Sequence, residues 1–117
     1  VDIEYIRKLA SDKLPADVLE NETLDEGVIH LVAAGRLTHQ KGFDLLVKAL
    51  AICRDNNFFI TILGEGEARE ELQQLSIDHG VAHQIRFVGF QANPFSIIAR
   101  ADAFVLSSRF EGFFKIK

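Results

Sequence analysis

Four short apolar runs recur along the chain and predict the strands of one buried sheet. Each run is rich in Val, Ile, Leu or Phe and lacks the clean alternation of apolar and polar residues found in strands with one wet face. Such runs are typical of parallel strands that helices cover on both sides. The runs are Ile29–Ala34, Phe58–Leu63, residues 85–88 and Ala103–Leu106.

The three connections between these runs carry helical patterns. In the first, apolar residues recur at three- and four-residue spacing, which marks the buried face of a helix. These residues are Phe43, Leu46, Val47, Leu50 and Ala51. The second connection shows the same spacing at Ala68, Leu72 and Leu75, and the third predicts a short helix over residues 94–100. Another helix is predicted ahead of the first strand, over residues 3–13.

Alternating strands and helices define the fold class. A strand, a helix and the next parallel strand form a right-handed crossover, and repeated crossovers build a sheet with helices on both faces. The chain is therefore predicted to be an α/β protein, with a three-layer Rossmann-like parallel sheet of about four strands in the order 3-2-1-4. Ligands of such sheets bind beyond the carboxyl ends of the strands.

Composition and charge narrow the classes of protein. The 117 residues are 48% hydrophobic and 26% charged, which suffices for one domain with its own core. The 13 Lys and Arg against 17 Asp and Glu argue against a nucleic-acid partner. Cys53 is the only cysteine and is interpreted as a small core residue in a reducing, cytoplasmic setting. The four histidines lack metal-ligand spacing, and no metal site is predicted.

The loop after the first strand carries candidate chemistry for an anion. Arg36 and Lys41 lie in it, and Gly42 precedes a helix whose free N-terminal amides favour negative charge. Arginine offers a bidentate fork and lysine a mobile point charge, so the pair suits a phosphate or a diphosphate. The alternative interpretation is that Arg36 and Lys41 are solvated charges of a surface loop and bind no ligand.

The second and fourth loops are less specific. Gly64-Glu65-Gly66 begins like a dinucleotide fingerprint, but Arg69 occupies the third glycine position and is expected on the solvated face of a helix. The two glycines fit either the close approach of a ligand or a tight turn. In the fourth loop, Glu111 suits a carboxylate that accepts hydrogen bonds from sugar hydroxyls, or an exposed loop acid.

Several motifs, in a fixed order along the chain, resemble those of a known family. Over residues 28–113 it resembles the nucleotide-sugar-binding domain of the group 1 (family 4) retaining glycosyltransferases of GT-B fold. The motifs are Gly35-Arg36-Leu37, Lys41-Gly42, Gly64-Glu65-Gly66, Phe87-Val88-Gly89, Ala101-Asp102 and Ser107 through Glu111-Gly112-Phe113. The resemblance implies a truncated half of a GT-B fold, with a linker and helix over residues 1–27 and a C-terminally incomplete donor-binding domain over residues 28–117.

The resemblance also implies a role for each matching position. Arg36 and Lys41 would hold the diphosphate and stabilise charge on the leaving nucleoside diphosphate, while Glu111 would reach the hydroxyls of the donor sugar, so these three are the catalytic candidates. No metal and no other cofactor is expected. The residues implied to bind the nucleotide-sugar donor are Gly35, Gly64, Glu65, Gly66, Val88, Gly89, Phe90, Gln91, Gly112 and Phe113.

The expected function is donor binding in a hexosyltransferase-type glycosyltransferase. The enzyme would move a sugar from a nucleotide-diphosphate sugar, such as a UDP-sugar, to an acceptor hydroxyl with retention, in polysaccharide or glycolipid biosynthesis. Phe114 stands where the family usually has glycine, and the family's second glutamate would fall two residues beyond Lys117. Because the N-terminal acceptor domain is absent too, the isolated chain is expected to be inactive. The parent protein is expected in the cytoplasm or at the inner face of the cell membrane.

Two alternative functions stay open, together with one expectation about association. Another GT-B enzyme, such as a sugar-nucleotide epimerase or a glycogen synthase, would share the diphosphate loop. A non-catalytic flavodoxin-like binding domain would need acids after its first strand, where this chain has Gly35-Arg36. The fourth strand is expected to leave an open sheet edge near Phe104, Phe113 and Phe114, which favours self-association of the isolated chain.

Overall fold

The computed structural model describes residues 3–11, 27–106 and 115–116. Within them, helices and strands alternate along most of the chain. In order they are α1 (Ile3–Ser11), β1 (Ile29–Ala34), α2 (Phe43–Ile52), β2 (Phe58–Leu63), α3 (Arg69–Asp78), β3 (Ile85–Gly89), α4 (Phe95–Ile98), β4 (Ala103–Leu106) and β5 (Lys115–Ile116). The four predicted strands are confirmed, with β3 one residue longer than expected.

One sheet joins these strands in the order β3-β2-β1-β4-β5. β1 pairs in parallel with β2 over its whole length, from Ile29 opposite Phe58 to Ala34 opposite Leu63. β4 lies parallel on the other side of β1, and β3 lies parallel beyond β2. The predicted Rossmann-like parallel sheet and its order 3-2-1-4 are therefore confirmed.

The far side of β4 differs from the expectation. β5 pairs with it antiparallel, with Val105 opposite Ile116 and Leu106 opposite Lys115. The prediction that β4 is an open edge is wrong, because two later residues of the chain supply backbone partners for it. Phe104, expected to be exposed at that edge, is partly buried against an apolar cluster.

Helices cover both faces of the sheet. α2 and α3 pack on one face over a cluster that includes Phe43, Val47 and Leu72. On the other face, Ile97 of α4 packs with Val32 of β1, and α1 lies against α4. Since both faces of the strands lose contact with water, apolar burial holds the three layers together.

The end of α2 changes the interpretation of the single cysteine. α2 ends at Ile52, and Cys53 forms its C-cap, with its backbone N–H donating to the carbonyls of Ala49 and Leu50 at 3.2 and 3.1 Å. Cys53 is half-buried rather than a core residue, because it has left the helix face that packs on the sheet. No helix among the described residues is long and apolar enough to cross a bilayer.

Polar groups close the sheet at its N-terminal edge. The backbone N–H of His30 donates to the Asp102 carboxylate at 2.7 Å, and the Asp102 N–H donates to the His30 carbonyl at 2.7 Å. The His30 Nε2 lies 2.9 Å from Oγ1 of Thr61, which is fully buried. Burial lowers the pKa of His30 from its ordinary value of 6.5, although the charge of Asp102 opposes the shift.

The lowered pKa of His30 predicts a loss of stability in acid. The unfolded chain takes up a proton on His30 at a higher pH than the folded chain does, so the free energy of unfolding falls as the pH drops below 6.5. Above that pH the imidazole is neutral in both states and its contribution is complete. Denaturant unfolding at about pH 7.5 and about pH 5.5 should show a smaller acid loss for His30→Gln than for the wild type.

The matched control for this measurement is His83→Gln, since His83 is exposed. It should lose as much stability on acidification as the wild type. Equal acid losses in the wild type and His30→Gln would contradict the prediction.

Candidate functional site

A cleft of about 470 Å³ opens at the carboxyl ends of β1, β2 and β3. The loop after each of these strands contributes to its wall. The lining residues are Ala34, Gly35, Arg36, Leu63, Gly64, Glu65, Phe90, Gln91 and Pro94. This is the edge at which open parallel sheets bind their ligands.

The backbone ladder of the sheet continues into the first two loops. Gly35 donates its N–H to the Leu63 carbonyl at 3.0 Å, and Leu37 donates its N–H to the Glu65 carbonyl at 3.0 Å. Ala68 then donates its N–H back to the Leu37 carbonyl at 2.9 Å. These bonds hold the loops side by side beyond the ends of β1 and β2, so the cleft has a wall of fixed backbone.

The two glycines of the second loop make this contact fit. A Cβ on Gly64 would overlap the carbonyl oxygen of Gly35. A Cβ on Gly66 would lie 2.5 Å from the carbonyl oxygen of Leu37. Both positions therefore need glycine for the packing of one loop on the other, whether or not a ligand is bound.

The first loop places two cations at the end of β1. Arg36 is exposed, and its guanidinium has no carboxylate partner among the described residues. A one-turn 3₁₀ helix, His39–Lys41, brings the Cδ of Lys41 to 3.8 Å from the Cβ position of Gly35. α2 begins directly afterwards, with Gly42 at its N-cap position. Two positively charged residues thus precede the N-terminus of a helix, whose dipole also favours a negatively charged ligand.

The third loop brings an aromatic ring to the cleft. Phe90 is 75% exposed, so it offers an apolar face to a planar ligand. The Gln91 side chain folds back, and its Nε2 donates to the Val88 carbonyl at 3.0 Å. The Val88 side chain is buried in the cluster that includes Ile97 of α4. Its backbone carbonyl, and not its side chain, therefore contacts Gln91 of the loop.

The part of the chain that carries these loops matches the model of a known protein family. Residues 17–113, well over half of the chain, match the model of the family described as glycosyl transferases group 1. The chain belongs to the group 1 glycosyltransferases. The expected Rossmann-like half of a GT-B fold is consistent with this membership and with the sheet order found above.

Two curated relatives show how far the similarity extends. The chain is 37% identical over 81 residues to the lipopolysaccharide core biosynthesis glycosyltransferase LpsE of Rhizobium meliloti, covering 69% of this chain and 23% of that protein. It is 37% identical over 92 residues to a glycogen synthase of Nitrosospira multiformis, covering 76% of this chain and 18% of that protein. The glycosyltransferase chain therefore spans less than a quarter of the length of these relatives.

A solved structure shows the same fold. The chain has a TM-score of 0.63 and 25% identity to the pneumococcal O-GlcNAc transferase GtfA, whose structure was determined in complex with UDP and GlcNAc. The similarity covers 70% of this chain and 16% of that one.

The structure brings six of the expected site residues of this glycosyltransferase chain into the cleft wall. They are Gly35, Arg36, Gly64, Glu65, Phe90 and Gln91. Four others lie in the same loops or strand ends but outside the lining, namely Lys41, Gly66, Val88 and Gly89. Glu111, Gly112 and Phe113 fall outside the described residues, and their roles stay predictions. Within the part of the chain described, no group of three His, Cys, Asp or Glu could hold a metal ion.

Arg69 does not line the cleft, but it contacts the lining residue Glu65, which the sequence pattern did not predict. Its Nη1 pairs with the Glu65 carboxylate, and its Nη2 donates to the Phe87 carbonyl at 3.2 Å. The prediction of a solvated face holds only in part here, because the bond to Phe87 of β3 holds the Arg69 side chain against the protein and leaves it 33% exposed. The four-residue spacing of Glu65 and Arg69 is the local signal for this ion pair.

Gly64→Ala tests the main-chain contact between the first and second loops in the cleft wall. Gly64 has a φ of 139° and its Cβ would overlap Gly35, so we expect the free energy of unfolding to fall by about 2–5 kcal/mol. Gly27→Ala is the matched control, since Gly27 has a φ of 90° but nothing within 4 Å of its Cβ position. It should lose only about 1–2 kcal/mol. Equal losses for the two variants in denaturant unfolding would count against the loop contact.

Proposed function

We propose that this chain is the donor-binding part of a glycosyltransferase that moves a sugar from a nucleotide-diphosphate sugar to an acceptor hydroxyl, with retention at the anomeric carbon. Family membership supports glycosyl transfer in general. The observation that carries the donor site is Arg36, an exposed cation in the cleft wall at the carboxyl end of the central strand β1. UDP and GlcNAc in the structure of GtfA support a nucleotide-sugar donor.

The charges beside the cleft suit the leaving group. When the bond between the sugar and the diphosphate breaks, negative charge grows on the departing phosphate, and positioned cations lower the energy of that state. The Arg36 guanidinium is proposed to grip the diphosphate as a fork, and Lys41 to add a mobile charge from the neighbouring turn. Because these two side chains supply the positive charge, the proposed reaction needs no metal ion.

The third and fourth loops are proposed to hold the rest of the donor. Phe90 offers a face on which a nucleobase stacks, and Gln91 lies beside it in the cleft wall. Glu111 is proposed to accept hydrogen bonds from the donor-sugar hydroxyls, with the backbone of Gly112 and Phe113 close by.

The acceptor is proposed to be a glycolipid or polysaccharide, held by a further domain, in the cytoplasm or at the inner face of the membrane. Similarity to LpsE supports a lipopolysaccharide acceptor. Similarity to a glycogen synthase supports a second candidate, elongation of glycogen. Offering glycogen or a lipopolysaccharide core acceptor to a form of the protein that includes the acceptor domain separates the two candidates.

Titration with UDP, followed by amide NMR or calorimetry, tests the donor site in this chain. The Arg36→Ala variant lacks one charge-assisted contact to the diphosphate. It should therefore bind UDP about ten-fold or more weakly than the wild type, and bind uridine as well as the wild type does. Arg54→Ala is the matched control, because Arg54 is exposed and follows α2 towards the opposite edge of the sheet. Equal UDP affinities for the wild type and Arg36→Ala would refute the assigned diphosphate site.

A further inference from the structure

An ion pair within the second loop lies at the wall of the cleft. Glu65 is one of the lining residues, whereas Arg69 pairs with it from the first turn of α3. The Glu65 side chain is 56% exposed and that of Arg69 is 33% exposed, so Glu65 is the more exposed partner of the pair. Glu65 is among the residues that the family resemblance implies for donor binding, but no role has been given to Arg69 or to the pair.

Arg69 connects the second loop to strand β3. Its Nη1 contacts Glu65 of the second loop, and its Nη2 donates to the Phe87 carbonyl near the end of β3, at 3.2 Å. The Glu65 Oε1 in turn lies 2.9 Å from the Cβ position of Gly89, which has a φ of 75°. The Gly64 N–H donates to the Gly89 carbonyl at 2.8 Å. Side chain and backbone together therefore fix the turn just before Phe90.

The negative charge of Glu65 must also be neutralised if a phosphate is to bind in the cleft. A free carboxylate in the wall would repel the phosphates of a nucleotide donor, and the repulsion grows as water is displaced from the cleft. Arg69 offsets that charge within the wall itself. Because two nitrogens of its guanidinium already bind Glu65 and Phe87, Arg69 is not available as a fork for a phosphate.

We propose that Arg69 is a positioning residue of the donor site. It holds the Glu65 carboxylate against Gly89, which orders the turn that carries Phe90, and it neutralises a negative charge that would oppose the diphosphate. The electrostatic half of this inference rests on the proposed function. The ordering half does not.

A double-mutant cycle measures the electrostatic half with UDP as the probe. R69Q leaves the Glu65 carboxylate unpaired and should weaken UDP binding about ten-fold, with a much smaller effect on uridine. When Glu65 is already replaced, the same change should cost little, so the double variant E65Q/R69Q should bind UDP more tightly than R69Q. If R69Q weakens UDP binding equally with and without the Glu65 carboxylate, charge neutralisation is overturned. R69K, which keeps the charge, should recover part of the affinity.

Amide hydrogen exchange of the ligand-free chain measures the ordering half. R69Q should raise exchange at Gly64 and in the Gly89–Phe90 turn, since the bonds that fix this turn are lost. R7Q is the matched control, because it breaks the exposed Arg7–Glu4 ion pair of α1, whose atoms are 3.2 Å apart, and should change neither exchange nor UDP affinity. Unchanged exchange in R69Q would overturn the ordering role.

The two measurements also separate this inference from the proposed function. A wild-type chain that binds no UDP would count against the donor site, and against charge neutralisation with it. In that case faster exchange in R69Q would still establish the ordering role of Arg69.

Discussion

The backbone contact between the first and second loops is the constraint on which the cleft depends. Since Gly64 and Gly66 have no side chains, the loop after β2 reaches the loop after β1 within hydrogen-bonding distance. Leu37 uses both its N–H and its carbonyl in this contact. The wall is therefore held by main-chain bonds, and the side chain of Arg36 in the same loop stays exposed. One interaction sets both the rigidity of the wall and the availability of its cation.

The same contact places a carboxylate where an anion is proposed to bind. Glu65 lies between the two glycines, and its carbonyl is bonded to Leu37, so its position in the wall is set by the backbone. Its side chain is then paired with Arg69, the less exposed partner of the two. The carboxylate of a loop that is needed for packing is thus neutralised by Arg69, and the exposed guanidinium of Arg36 remains for a ligand.

The fold could be predicted from the sequence because its signals are local. The apolar runs of β1 to β4 and the spacing of Phe43, Leu46 and Val47 each mark one element. β5 could not be predicted, since Lys115–Ile116 has no periodic pattern and is defined by its bonds to β4. Helical periodicity likewise could not show that Arg69 meets the end of β3, a contact between elements distant in sequence. The role of Gly64 and Gly66 also depends on a contact between distant parts of the chain. Their spacing alone fits either the close approach of a ligand or that of a neighbouring loop.

The two edges of the sheet are closed by different means, and this difference explains why the candidate site lies at one of them. At the N-terminal edge, polar side chains form hydrogen bonds within the protein. His30 contacts Thr61, and Gln84 donates to the Phe58 carbonyl at 3.1 Å. At the carboxyl edge, main-chain bonds and glycines join the loops. The exposed side chains of Arg36 and Phe90 take no part in these main-chain bonds, so they can differ with the ligand. A parallel sheet ends all its strands at that edge, so it collects these side chains from several loops in one cleft.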